Sequence, residues 1–282
     1  MNGFRRTYNL LPKTGIEPVS PRPQRGVLTT ILLGPLTVLA MSVEGPSFEL
    51  FQNTNAMIYY VRAAVHLVLF VVFVWVVKSD MDFLPAELLP IPGYSLSKLA
   101  WLTIVDLYMQ VGYHAFAVYI SLTSASDSAL FHRFHFISTA IMLPVAFTVG
   151  ILFWSLHLID PKLLIPEGLE KFFVPNFLRD HSQHTLPAFA MLTDHILWVH
   201  SRPNKLRAFN ALLIFAFLYI VDIHLVYAIS GNWVYGIMGQ LSFLFRWLFV
   251  LACAILLYLV FLVGDALNVC FHPSLANKQA YD

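Results

Sequence analysis

The sequence predicts an all-α protein, a polytopic transmembrane bundle of about six spans preceded by a disordered N-terminal tail. Three observations predict it. Hydrophobic residues make up 58% of the 282 and charged residues only 12%, about half the charged share of a soluble domain. The apolar residues gather into runs close to the ~20 needed to cross a bilayer. None of these runs alternates with period two, which excludes a barrel. Lipid then demands helices, because every backbone group must be satisfied within its own segment. A net charge of +1 argues against nucleic acid as a partner.

Residues 1–27 are polar, proline-rich and basic, with Arg5, Arg6, Lys13, Arg22 and Arg25, and read as a disordered or artefactual tail. Residues 28–56 form a weak apolar segment, interrupted at Gly34 and Pro35, and a linker. Spans are expected at 57–78, 98–122, 134–157, 184–200, 208–229 and 243–267, within a membrane domain covering 57–270. Residues 271–282 are expected as a cytosolic tail. The loop 201–207 carries Arg202, Lys205 and Arg207 and no acid, whereas 230–242 carries no charge. The positive-inside rule therefore puts 201–207 in the cytosol, with both chain ends on the same side. Segment 158–183 then lies on the opposite face. Its mixture of charged and apolar residues reads as interfacial. Cys253 and Cys270 read as reduced thiols.

Ionisable groups at membrane depth are costly and each needs a reason. Thr103, Asp106, Gln110 and His114 are spaced three, four and four, which puts them on one helix face. Two readings fit that stripe: hydrogen-bonded glue between helices or a chemical site. His181 and His184 sit three apart at the start of the fourth span, as do His132 and His135 near the third. Zinc needs three or four ligands and the chain lacks HExxH, so no metal and no cofactor are expected. Asp222, His224, Arg246 and Asp265 are expected to pair with one another. Trp233 and Tyr235 read as interfacial aromatics that share one face.

Topology brings two of these residues to one leaflet. Thr103 lies about 8 Å into a span entered from the non-cytosolic side, at ~1.5 Å per residue. His184 opens a span entered from that side. A hydroxyl and an imidazole at matched depth suit nucleophilic catalysis, with the imidazole as base. Free N–H groups at the helix start would favour an oxyanion there. The chain has no GxSxG, P-loop or GxGxxG motif.

Several blocks resemble the androgen-induced-gene family of six-span membrane proteins. They are Leu102-Thr103-Ile-Val-Asp106-Leu-Tyr-Met-Gln110, Leu143-Pro144, Phe153-Trp154, Asp160-Pro-Lys-Leu-Leu-Ile-Pro166, Phe173-Val-Pro175, and Leu178-Arg-Asp-His181-Ser-Gln-His184-Thr185. Gly231-Asn-Trp233-Val-Tyr235 and Tyr258-Leu-Val-Phe-Leu-Val-Gly264-Asp265-Ala-Leu-Asn268 complete the set. The resemblance spans about three quarters of the chain. Asp180 replaces a usual Asn, Phe134-His135 a frequent Arg-Asp, and Gly264-Asp265 a common Gly-Glu.

The resemblance implies a membrane-embedded threonine hydrolase that cleaves fatty acid esters of hydroxy fatty acids. It assigns Thr103 as nucleophile and His184 as general base, with Asp106 and His181 in supporting places. It implies a lipid ester substrate within the membrane of the endoplasmic reticulum or the cell surface; no motif speaks to oligomeric state. Two other readings remain open. One is a non-catalytic lipid-binding or regulatory protein, and the other a proton carrier using Asp106, His114, Asp222 and His224.

Overall fold

The computed structural model describes residues 46–123, 129–166, 168–173 and 175–275, with side chains from residue 57 onward. The expected tail 1–27, most of the 28–56 segment and the last seven residues lie outside this set. Among the described residues the regular structure is entirely helical. The helices are α1 (Pro46–Met81), α2 (Leu102–Thr123), α3 (Ala129–Ile137), α4 (Leu143–Ile159), α5 (Phe177–His184), α6 (Leu186–Leu197), α7 (Lys205–Ser230), α8 (Gly236–Gln240) and α9 (Phe243–Phe271).

Four helical stretches are long and apolar enough to cross a membrane: Met57–Met81, Ala129–Ile159, Lys205–Ser230 and Phe243–Phe271. They match four of the six expected spans and make this an integral, multi-pass membrane protein. The other two expected spans are helical with altered outlines. Residues Ser95–Ala100 form a 3₁₀ turn, and Trp101 is extended before α2 begins at Leu102. At 22 residues α2 is about 33 Å long, but its polar stripe makes it less apolar than the four. The expected span 184–200 is split. Asn176 caps α5 by accepting from Arg179 N–H, and Pro187, at the start of α6, interrupts the backbone ladder because it has no N–H. The helical run thus starts at 177, where hydropathy is depressed by Arg179 and Asp180, and ends at Leu197.

The third span runs α3–α4 through one π-helical turn, Ser138–Met142. This rod is the axis of the bundle: 61% of its most apolar window is buried, against 17% for α7 and 22% for α9. One core cluster joins α2, α3, α4 and α6 through Tyr113, Phe134, Leu143 and Met191. A second joins α4 to α7 and α9 through Val145, Leu212 and Phe261. A third packs Phe73 and Val76 of α1 on Ile104 and Leu107 of α2. The outer faces stay apolar. On α9, Leu244, Leu248, Leu251, Ile255 and Leu259 are all exposed, an i, i+4, i+7 stripe that only lipid can cover. Helix ends are closed locally. Asn204 accepts from Leu206 and Arg207 N–H at the start of α7, and Gly231 ends it at φ 76°, the left-handed position that glycine occupies without a Cβ clash.

Candidate active site

Between α2, α4, α5, α7 and α9 lies a cavity of about 260 Å³, near the lower end of the ~300–1,000 Å³ usual for small-molecule sites. Most of its lining is apolar, with residues such as Val149, Phe215, Ile223, Phe249 and Leu257. Polar groups join them, among them Thr103, Thr148, His184, Tyr235, and the charged Asp80 and Lys98.

His184 is the last residue of α5 and only 8% exposed. Its Nδ1–H donates to the Asp180 carbonyl at 2.9 Å, one helical turn back. That bond makes Nδ1 the donor and leaves Nε2 as the bare acceptor, the tautomer a general base requires. The ring lies flat on Phe153, with centroids 3.4 Å apart and planes 2° from parallel, so it cannot turn without moving α4. The close approach has a backbone cause. A Cβ on Gly150 would stand 2.7 Å from the His184 carbonyl oxygen, and glycine alone lets α4 pass there.

Thr103 is the second residue of α2 and half-buried. The turn before it is held by two phenols. Leu102 N–H donates to Tyr235 Oη at 2.8 Å, the two phenol oxygens of Tyr219 and Tyr235 are 3.0 Å apart, and Tyr219 O–H donates to the Ala100 carbonyl at 2.9 Å. Burial pushes the Tyr235 phenol above its ordinary range, so it stays a donor. The Leu102 N–H, expected to be free for an oxyanion, is therefore spent. Thr148 offers a replacement in the cavity wall: its buried hydroxyl has no hydrogen-bond partner. At the charged end Lys98 Nζ donates to Asp80 Oδ2 at 3.1 Å and to the Asp80 carbonyl at 2.6 Å, while Gln183 donates to Asp80 Oδ1 at 3.2 Å. This clamp ties the end of α1 to the turn before α2 and to α5.

The four residues singled out from the sequence thus divide. Thr103 and His184 line one cavity; Asp106 and His181 do not. Asp106 is fully buried and accepts from Gln110 at 3.1 Å, which is packing within α2. His181 Nδ1 meets Thr185 Oγ1 at 3.0 Å, and Trp154 Nε1 donates to the same hydroxyl, so His181 braces the α5–α6 break. The expected mutual pairing of Asp222, His224, Arg246 and Asp265 does not occur. Arg202 of the loop holds Asp265 bidentately at 2.7 and 3.0 Å. Arg246 donates to the Met238 and Leu241 carbonyls, and His224 meets the Ile220 carbonyl. Asp265, Arg246 and His224 thus find their partners in a loop, in the α8 segment or in their own helix. Trp233 stacks on Tyr227, and of the two aromatics read as interfacial only Tyr235 lines the cavity.

Fold and cavity define a multi-pass helical membrane protein with an internal, mainly apolar cavity. The chain belongs to the FAR-17a/AIG1-like protein family, whose model matches residues 61–269. It is 33% identical over 141 residues to the mouse (Mus musculus) androgen-dependent TFPI-regulating protein, covering 50% of this chain and 60% of that one. It is 32% identical over 130 residues to the golden hamster (Mesocricetus auratus) protein of that name, covering 46% and 55%. It is 30% identical over 132 residues to the human (Homo sapiens) androgen-induced gene 1 protein, covering 44% and 53%. The chain thus matches just over half the length of these relatives. No solved structure gives a significant match.

Proposed function

We propose that this protein is a membrane-embedded carboxylic ester hydrolase acting on fatty acid esters of hydroxy fatty acids, with Thr103 as nucleophile and His184 as base. The observation that carries it is the shared cavity: a hydroxyl and an imidazole of fixed tautomer open into one apolar chamber. His184 Nε2 takes the Thr103 proton as the hydroxyl oxygen attacks the ester carbonyl. The tetrahedral oxyanion accepts from Thr148 O–H. It collapses to acyl-threonine, and the departing alkoxide takes the proton from His184. Water, deprotonated by the same Nε2, then splits the acyl-threonine to fatty acid and free Thr103. The substrate class follows the family resemblance and fits a mainly apolar chamber that holds a few polar groups. Residence in the endoplasmic reticulum or plasma membrane follows the same resemblance.

The test is fatty acid release from a branched ester of a hydroxy fatty acid by membranes carrying wild type, Thr103→Ala or His184→Ala at matched protein levels. Hydrolysis by wild type alone supports the reading. Equal hydrolysis by all three removes both residues from the chemistry. No hydrolysis above empty membranes, with the chain folded and able to retain labelled ester, makes it a lipid-binding protein instead.

A further inference from the structure

A second group of polar side chains, none of which lines the chamber, sits around Asp194 near the end of α6. The chain runs from His184 at the end of α5 to Asp194 in the last turn of α6, about 15 Å of helical rise at ~1.5 Å per residue, so the two groups lie at different depths in the bundle. Asp194 is 1% exposed, His195 1%, and His66 and His200 are fully buried. An ionised carboxylate taken that far from water must be paired, hydrogen-bonded or metal-bound.

The surroundings of Asp194 are unusual for a hydrogen-bonded carboxylate. Tyr113 O–H and Ser138 O–H both donate to Oδ2. His200 Nε2 stands 3.0 Å from Oδ2 and His66 Nε2 3.2 Å from Oδ1. Both nitrogens are within hydrogen-bond reach, so one buried carboxylate holds two imidazoles and two hydroxyls at once. Arg62 is near, but its guanidinium lies over Phe134 and Trp198 and forms no ion pair with Asp194. The carboxylate thus meets imidazoles rather than the nearby guanidinium.

The neighbours of the imidazoles decide between readings. His195 Nδ1–H donates to the Met191 carbonyl at 2.9 Å, and His200 Nδ1 is 3.1 Å from His135 Nδ1. Each ring is thus tied at Nδ1 and presents Nε2 inward, the outer-shell arrangement of metal-ligating histidines. Ligand atoms of Asp194, His195 and His200 lie within 4.8 Å of one another. Neighbouring ligands on a tetrahedral zinc, with Zn–N of ~2.0–2.1 Å, are about 3.3 Å apart, so a small closing movement completes the set. His195 Nε2 now meets the Thr139 hydroxyl at 3.3 Å, a contact that a rotation of that hydroxyl releases. The π-helical turn carries both Ser138 and Thr139 to this spot, and such turns recur at functional sites.

We propose that Asp194, His195 and His200 form a binding site for one divalent transition-metal ion, of the two-imidazole, one-carboxylate type suited to zinc. Three protein ligands leave one position open, flanked by the hydroxyls of Tyr113, Ser138 and Thr139. His135 and the Met191 carbonyl act behind the ligands as positioning groups. The site does not depend on the ester hydrolase reading.

The test uses the full chain without a polyhistidine tag, purified in detergent, stripped with chelator and titrated with Zn²⁺ or Co²⁺ alone. Expected are one metal per chain by elemental analysis, a visible Co²⁺ spectrum of four-coordinate intensity, and a higher unfolding temperature with metal. His195→Gln and His200→Gln are expected to lose all three, and His135→Ala to weaken binding about tenfold to a hundredfold. Where a ligand variant does not fold, the wild-type Co²⁺ spectrum and stoichiometry decide alone. A folded wild type with no spectrum and no stoichiometric metal, or variants that bind as wild type does, would overturn the site and leave a hydrogen-bonded cluster.

Discussion

Two polar regions share the helix α2 and the α3–α4 rod yet are built on opposite plans. Around Thr103 and His184 the polar groups border an open chamber, and most are already committed: Lys98 and Gln183 to Asp80, Leu102 N–H to Tyr235, His184 Nδ1 to Asp180. His184 Nε2 and the hydroxyls of Thr103 and Thr148 stay open beside an apolar volume. Around Asp194 the ligand atoms of one carboxylate and two imidazoles converge in a buried core. Open groups beside empty space invite a substrate, whereas ligand atoms converging in a closed core suit one small ion.

The largest effect expected of any variant is at the chamber. Thr103→Ser should keep ester hydrolysis within about tenfold of wild type, while Thr103→Ala falls to background, a loss of several orders of magnitude; an active Thr103→Ala dissolves the contrast. Asp194→Ala strikes the closed region. It strips Tyr113, Ser138 and the flanking histidines of their carboxylate and should cost about 3–5 kcal/mol in detergent unfolding, with hydrolysis per folded molecule kept. Gly150→Ala joins the two effects. The added methyl must push α4 from the His184 carbonyl, costing about 1–3 kcal/mol and lowering kcat by about tenfold through misplacement of the base. Thr148→Val sharpens the contrast further: shape is kept and an unpaired hydroxyl removed, so stability should hold within ~1 kcal/mol, while kcat falls by about tenfold or more if that hydroxyl serves the oxyanion. Smallest is Arg202→Lys, which breaks a bidentate but partly exposed pair with Asp265 and should cost about 0.5–1 kcal/mol.

Much of this fold was legible because lipid acts on composition: four long apolar helices stand close to where their residues placed them. The misread boundaries have local causes. Asn176, Arg179 and Asp180 look like loop by hydropathy but cap and open α5, and Pro187 breaks what reads as one span. At the chamber, Thr103 and His184 were legible from spacing and depth, since helices of known direction give each residue a height. Lateral facts were not. That Thr148 would share their cavity, and that His135 would meet His200 across 65 positions, depends on how each rod is rotated about its own axis. The polar stripe on α2 shows the same limit. Thr103 at its top meets the cavity, Asp106 and Gln110 bond each other, and His114 meets His66 at 2.8 Å. One face of one helix therefore serves three different ends. The cluster around Asp194 left one trace, an Asp-His pair five residues before another buried His, which hydropathy absorbed into an apolar span.

The π-helical turn at Ser138–Met142 acts as a phase coupler. A helix of ~3.6 residues per turn rotates about 100° with each residue, and the π turn takes up one extra residue within a single turn, so the parts above and below it keep a fixed phase. Here the part below presents Phe134, His135, Ser138 and Thr139 toward Asp194, and the part above presents Val145, Thr148 and Val149 to the chamber. Removing one residue from that turn would let the rod become uniformly α-helical with its two halves still in phase, whereas removing one elsewhere would swing one half about 100° out of register with the other. The rod between 135 and 148 can therefore change length by one residue only at this turn.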